Sequence, residues 1–253
     1  MSADEAPGRA EAAVRILDLL EEAHPDAKCA LDFRTPLELL IATILAAQHR
    51  DDHINVVTPG LFAKYPTARA WAEADPEQVK VDLKPTGFFN QKARSVQGAC
   101  AALVRDHAGE VPDDLDALVK LHGVGRKTAN VVLGNAFKHP DRVATDTHVL
   151  RLSKLLGWTR SDDPEQVERD LEALWPAERR TRACHLLQFH GRRVCVARAP
   201  RCQECPLAPL CPSADTAAPV RAEAAPAKKG KAKAAKAAPK RGATKSSPSR
   251  RQG

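Results

Sequence analysis

The sequence predicts an all-α protein of two helical lobes. Apolar residues return at helical spacing from one end to the other, and N-cap-plus-proline helix starts recur. No run alternates apolar and polar residues as a half-buried strand does. Ala13, Ile16, Leu17 and Leu20 mark a first helix, broken at His24-Pro25. Thr35-Pro36-Leu37-Glu38 has the capping-box pattern with proline at the first helical position. It leads into Leu39 through Leu45, apolar nearly all round, which predicts a helix buried on every side at the centre of a lobe. Asp75-Pro76 and Asp163-Pro164 repeat the start, with Gln78 and Gln166 at the third helical position. Val96, Cys100 and Leu103 share one face of a helix running from about Lys92 to Asp106. Leu152, Leu155 and Leu156 do the same before Gly157, whose conformational freedom suits a helix end.

The 253 residues, 43% of them hydrophobic, leave room for two modest cores. A net charge of +7, from 39 Lys and Arg against 32 Asp and Glu, favours a polyanionic partner. The opening residues lack the basic and apolar regions of a secretion signal, and no apolar run approaches a membrane span, so a cytoplasmic, nucleoid-associated location is expected. Four of the seven cysteines crowd between Cys195 and Cys211, which points to metal ligation in a reducing compartment. Beyond Cys211 the chain turns to Ala, Lys, Pro and Ser, with eleven cations from Arg221 to Arg251. With almost nothing to bury, it reads as a disordered tail, either a salt-sensitive DNA tether or a solubilising extension.

Leu118 through Asn130 reads as helix, tight turn, helix. Gly123 and Gly125 flank Val124, let the backbone turn sharply, and bring N–H groups and the positive end of the second helix toward a phosphate. Lys127 falls in the first turn of that helix, where the dipole disfavours a charged amine by about 1 kcal/mol. A nucleophile must be neutral, and holding an ordinary lysine neutral near pH 7.4 requires about 4 kcal/mol. Partial burial, or a base that takes the proton during attack, must supply the rest. Asp146, at the start of another helix, is the candidate base as well as an N-cap. Spacing alone does not bring it to Lys127.

Cys195, Cys202, Cys205 and Cys211 make C-x6-C-x2-C-x5-C. Four thiolates suit tetrahedral zinc or a [4Fe-4S] cluster, and softness does not choose between them. The loop between the first two cysteines is pinned at both ends and presents Arg198 and Arg201 outward as phosphate contacts. Cys100 is read as a core residue, and Cys29 and Cys184 are given no chemistry.

These two motifs, in this order, resemble the endonuclease III family of helix-hairpin-helix DNA glycosylases over about residues 10 to 212. The resemblance makes Lys127 the Schiff-base lysine, Asp146 the catalytic aspartate, and the four cysteines ligands of a [4Fe-4S] cluster. It implies a bifunctional glycosylase and abasic-site lyase of base excision repair, acting as a monomer on double-stranded DNA and excising oxidised pyrimidines. Gly123, Gly125, Arg126 and Thr128 are then DNA contacts of the hairpin. Gln48, ending the buried helix, fills the space left by the everted base, and Phe88 wedges the opposite strand. Two departures stand out. His122 replaces the proline often found before the turn, and His49-Arg50 replaces a small residue and threonine, which bears on base choice.

The expected organisation is an N-terminal helix (1–28) belonging to the iron-sulfur lobe and a six-helix lobe (29–140) with the hairpin at 115–136. The rest of the iron-sulfur lobe (141–212) and the tail (213–253) follow, with the DNA cleft between the lobes. Two rivals are a monofunctional mismatch glycosylase of the same fold, which needs no Lys127, and a non-catalytic iron-sulfur DNA-binding protein, which needs neither Lys127 nor Asp146.

Overall fold

The computed structural model describes residues 5–214, which are helical with no strand among them. The tail from residue 215 onward, read above as disordered, lies outside the described residues. No helix among the described residues is long and apolar enough to cross a membrane.

Two hydrophobic cores organise the chain. The first is built by helices in succession: α2 (Pro36–Leu45), α3 (Asp51–Lys64), α4 (Ala68–Glu73), α5 (Pro76–Leu83), α6 (Phe89–Asp106), α7 (Leu115–Leu118) and α8 (Arg126–Asn135). That is seven where six were expected between 29 and 140. The short one is α7, a single turn that Asp114 caps by accepting from the Ala117 amide at 2.8 Å. The second core collects α1 (Glu5–Ala23), α9 (Thr147–Leu155), α10 (Pro164–Leu174) and α11 (Arg180–Arg193), with Leu207 from the cysteine segment. Helix α1 joins the C-terminal helices because Ala13, Ile16, Leu17 and Leu20, its apolar face, are buried among them.

Helix α2 is the spine of the first core. Thr35 Oγ1 accepts from the Glu38 amide at 3.2 Å, and every residue from Leu39 to Leu45 is buried. At about 1.5 to 3 kcal/mol per large side chain, this helix is where truncation is most damaging to that core. Glu38 does not complete the capping box, because its carboxylate accepts from the Arg34 amide and guanidinium instead. Gln78 and Gln166 also turn away from their N-caps, donating forward to Asp82 and Asp170. Helix α6 starts at Phe89, one turn earlier than its apolar stripe suggests, and packs on α4 and α5. Helix α9 ends as expected: Gly157 adopts φ 72°, and the Gly157 and Trp158 amides reach back to the Lys154 and Ser153 carbonyls.

Polar ties join residues of the two cores. Buried Glu168 of α10 accepts from Asn130 Nδ2 at 3.1 Å and from Arg126 Nε at 2.9 Å, both on α8. Asn130 also donates to the Val143 carbonyl at 2.8 Å. At the far end of α8, Asn135 Oδ1 accepts from His185 Nε2 of α11 at 2.8 Å, and burial lowers that imidazole to about 4, so it is neutral. Arg192 of α11 donates to Asp51 of α3 at 2.6 Å. A buried carboxylate such as Glu168 is stable only with its partners in place, so these ties fix α8 against α10.

Candidate active site

An open cleft of about 1300 Å³ is lined by the turn after α2, the start of α3, the N-termini of α8 and α9, and Arg192. Lys127 and Asp146, 19 positions apart in sequence, both line it. Each stands in or beside the first turn of a helix. The N-cap of α8 is Gly125, which has no side chain to offer, and the first intrahelical bond runs from the Ala129 amide to the Gly125 carbonyl. The amides of Arg126, Lys127 and Thr128 therefore lack partners within the helix, the arrangement that binds an anion. Helix α9 is closed by Asp146, whose Oδ1 accepts from the His148 amide at 2.9 Å and the Val149 amide at 2.8 Å. Its Oδ2 accepts no hydrogen bond among the described residues, so one oxygen holds the helix and the other is left over at a residue that lines the cleft.

Lys127 is exposed and makes no ion pair or hydrogen bond among the described residues. The partial burial expected of it is not found, because the first turn of α8 stands at the cleft surface. In the turn, only Gly123 requires glycine: its φ is 76°, and a Cβ there would fall 2.5 Å from Ser95 Cβ and Oγ. Gly125 has φ −91° and ψ 173°, extended backbone open to any residue, and a Cβ there meets nothing within 4 Å. Its absent side chain leaves space over the free amides.

The other sequence candidates fare unevenly. Thr128 lines the cleft. Arg126 is exposed, with its Nε held to buried Glu168 at 2.9 Å. Gln48 lines the cleft but does not end α2, which stops at Leu45; it sits three residues on, exposed, at φ 55°. Phe88 is 64% exposed and stands outside the cleft lining, at the N-cap of α6 in a left-handed conformation. Arg198 is exposed and makes no ion pair or hydrogen bond among the described residues. Arg201, expected to point outward, folds back to the Arg193 carbonyl and lies 3.6 Å from Glu204. The carbonyl is the nearer acceptor, so the end of α11 takes that guanidinium. Of the two departures, Arg50 is exposed and grips Asp52 through Nε and Nη2, while half-buried His49 lines the cleft with its ring stacked on His53 at 4.6 Å.

Sequence reasoning missed Asp51, His148 and Arg192, which also line the cleft. Burial lowers His148 first, with Arg192 and Arg151 adding to it and the Asp146 charge opposing. His148 packs against α11 where Gly191 lacks a Cβ; one there would lie 2.7 Å from His148 Nδ1. The Asp51–Arg192 pair spans 141 positions of sequence, and no local pattern signals it.

Away from the cleft, Cys195, Cys202, Cys205 and Cys211 line one cavity of about 80 Å³ together with Leu152, Leu156 and Leu207. All four are free cysteines. Burial, and then the charge of the neighbouring sulfurs, pushes the Cys205 and Cys211 thiols up. Arg151 Nη1 lies 3.6 Å from Cys195 Sγ, and His190 Nε2 lies 3.5 Å from Cys205 Sγ. Among the described residues no three His, Cys, Asp or Glu side chains are grouped to hold a single metal ion. Cys100 is a core residue, as expected; Cys100 and Cys184 are buried, and burial pushes each thiol up to about 12.

Residues 41–177 match the family model of the HhH-GPD superfamily base excision DNA repair protein. An endonuclease III of Synechocystis sp. is 47% identical over 196 residues, covering 77% of this chain and 89% of that protein. The endonuclease III of Escherichia coli strain K12 is 42% identical over 192 residues, covering 76% and 90%. The chain belongs to the endonuclease III family. A solved non-covalent endonuclease III–DNA complex shares its fold with a TM-score of 0.78 at 42% identity, over 82% of this chain and 97% of that one. A trapped endonuclease III–DNA covalent intermediate matches with the same score and identity, over 82% and 98%. A thermostable thymine-DNA glycosylase at 22% identity and a TM-score of 0.73 shares the fold alone. Within the endonuclease III family, the arrangement around this cleft is the place to look for base excision chemistry.

Proposed function

We propose that this base excision repair protein is a bifunctional DNA glycosylase and abasic-site lyase whose nucleophile is Lys127 and whose proton acceptor is Asp146. The observation that carries the reading is that these two side chains line one cleft from two helix N-termini, one open and one closed. A double-stranded DNA phosphate at the open end of α8 would bond the free amides of the hairpin and lay the strand along the cleft. Oxidised pyrimidines stack and pair weakly enough to be everted at little cost. Lys127 Nζ then forms a bond to C1′ as the bond from C1′ to the base breaks and the electron pair leaves with the base. The nitrogen gives up its two protons, one to the departing base and one to the ring oxygen O4′, as the C1′–O4′ bond breaks and the imine forms. Loss of a proton from C2′ then makes the C2′–C3′ double bond as the C3′–O bond breaks and the 3′ phosphate leaves with its electron pair. Asp146 Oδ2, free of other bonds, accepts the proton or stabilises the cationic sugar. Gln48 and Phe88, both exposed and held at positive φ, are suited to enter the gap and the facing strand. We read the two cores as two lobes that meet at this cleft, supported by the distribution of their buried residues.

The four-cysteine cavity fits a [4Fe-4S] cluster. It offers four soft sulfur donors and apolar walls, with Arg151 Nη1 near Cys195 Sγ and His190 Nε2 near Cys205 Sγ. A bound cluster would supply four metal–sulfur bonds that staple the loop holding Arg198. Its ligands would be Cys195, Cys202, Cys205 and Cys211, while Arg151 and His190 orient the sulfurs.

The test is borohydride trapping on a duplex with an abasic site. The expected result is a covalent adduct with the intact chain and none with Lys127→Ala, whose exposed position leaves the fold unchanged. An adduct that survives the substitution sinks the assignment.

A further inference from the structure

Phe88 sits at φ 45° and ψ 31°, directly after Gly87 at φ 62°. A bulky aromatic residue in the left-handed region is strained and persists only where its surroundings impose it. Four features impose it here. Lys92 is a buried lysine, 4% exposed, with no carboxylate beside it; its Nζ donates to the Thr86 carbonyl at 2.5 Å. Burial lowers its amine below the ordinary range. Exposed His53 of α3 donates from Nε2 to the Pro85 carbonyl at 3.0 Å. Thr86, fully buried, donates its hydroxyl to the Leu83 carbonyl at 2.8 Å. His49 stacks on His53 with 27° between the rings, and a Cβ on Gly87 would lie 3.7 Å from His49 Cδ2.

Two successive carbonyls, of Pro85 and Thr86, are thus gripped by side chains from two different helices just before the strained residue. The structure assigns Lys92 and His53 as positioning residues that clamp the Phe88 loop in the conformation that opens the DNA duplex. His49 extends the clamp to the turn carrying Gln48. This rests on the reading of Phe88 as the wedge. Neither Lys92 nor His53 lines the cleft that holds Lys127, so the clamp acts on duplex opening and not on the attack at C1′.

The experiment uses the full chain, a duplex with a tetrahydrofuran abasic analogue opposite 2-aminopurine, and a single-stranded abasic oligonucleotide. His53→Ala removes one hydrogen bond and one ring contact at an exposed position, so folding is safe. It should bind the duplex about three- to tenfold more weakly and lower the 2-aminopurine fluorescence rise. Lys92→Met should lose about tenfold. Borohydride trapping on the single strand, which needs no opening, should change by less than about twofold for both. His53→Gln, which still donates to Pro85, should recover part of the loss. Equal losses on single and double strands, or no loss on the duplex, overturn the clamp. If Phe88→Ala loses duplex binding while His53→Ala and Lys92→Met keep it, the clamp alone fails. If Phe88→Ala loses nothing, the wedge reading falls and the clamp with it.

Discussion

Helices α8 and α9 both begin at the cleft, one closed by its own side chain and the other open. Asp146 closes α9 with two hydrogen bonds from a single oxygen. Gly125 leaves α8 with no side-chain bond at its start. The two termini carry the same partial positive charge, so the difference lies in what satisfies it. In α9 an internal carboxylate does so, and the carboxylate is thereby fixed in place with one oxygen to spare. In α8 no side chain does so, and Lys127 stands in that first turn. A closed terminus holds a side chain in place, and an open one leaves its first amides without partners in the helix.

The sharpest way to break this comparison is to separate the cap that Asp146 makes from the proton-accepting role proposed for it. Asparagine caps helices about as well as aspartate, so Asp146→Asn should keep α9 and shift thermal stability by less than about 0.5 kcal/mol. It cannot accept a proton, so lyase turnover should fall by about a hundredfold or more. Asp146→Ala should lose the same activity and about 1 kcal/mol of stability besides. Thermal melts and single-turnover cleavage of abasic duplex check both variants. If Asp146→Asn retains most of its rate, the carboxylate is a cap and nothing more.

The contrast also shows what could be read from the chain alone. The caps at Thr35, Asp75, Asp163 and Asp146 were legible because each is a local event, one side chain meeting amides two or three residues on. So was the burial of α2, since a helix that is apolar all round has no other place to go. Gln78 and Gln166 were misread because a flexible amide on a helix surface chooses between two partners of similar worth, and each took the aspartate four residues ahead. The partners of Arg126 and Arg201 were hidden for another reason: a cation's sequence neighbours do not reveal Glu168, 42 positions away, or the Arg193 carbonyl. The Lys92 and His53 contacts were invisible, because they depend on where two helices place a loop between them. Local rules found the helix ends of the site, and tertiary packing decided the rest.

A finer division falls within the open terminus itself, between its two glycines. Gly123→Ala must relieve a Cβ placed 2.5 Å from Ser95 and hold a positive φ, so it should lose about 1 to 3 kcal/mol in denaturant unfolding. Gly125→Ala meets open space at an extended φ and should leave stability within about 0.5 kcal/mol. Equal losses at both would mean that the turn is held by glycine flexibility in general and not by the contact with Ser95.

The smallest effect in stability terms bears most directly on the comparison. Gly125→Asp gives α8 the kind of cap that α9 already has. The backbone there is extended and the space is empty, so the new carboxylate can accept from the free amides without strain. Asp exceeds Gly as an N-cap by only a few tenths of a kcal/mol, so the protein should become slightly more stable. The same carboxylate would occupy the amides meant for a phosphate and repel it, so affinity for abasic duplex should fall by about tenfold or more. Substitution with serine separates the two causes, since it caps without adding charge and should lose less. Binding isotherms at two salt concentrations decide the matter, because repulsion is screened by salt and competition for the amides is not. If Gly125→Asp binds as tightly as the original chain, the open end of α8 is not where the DNA is held, and the contrast between the two helices has no bearing on function.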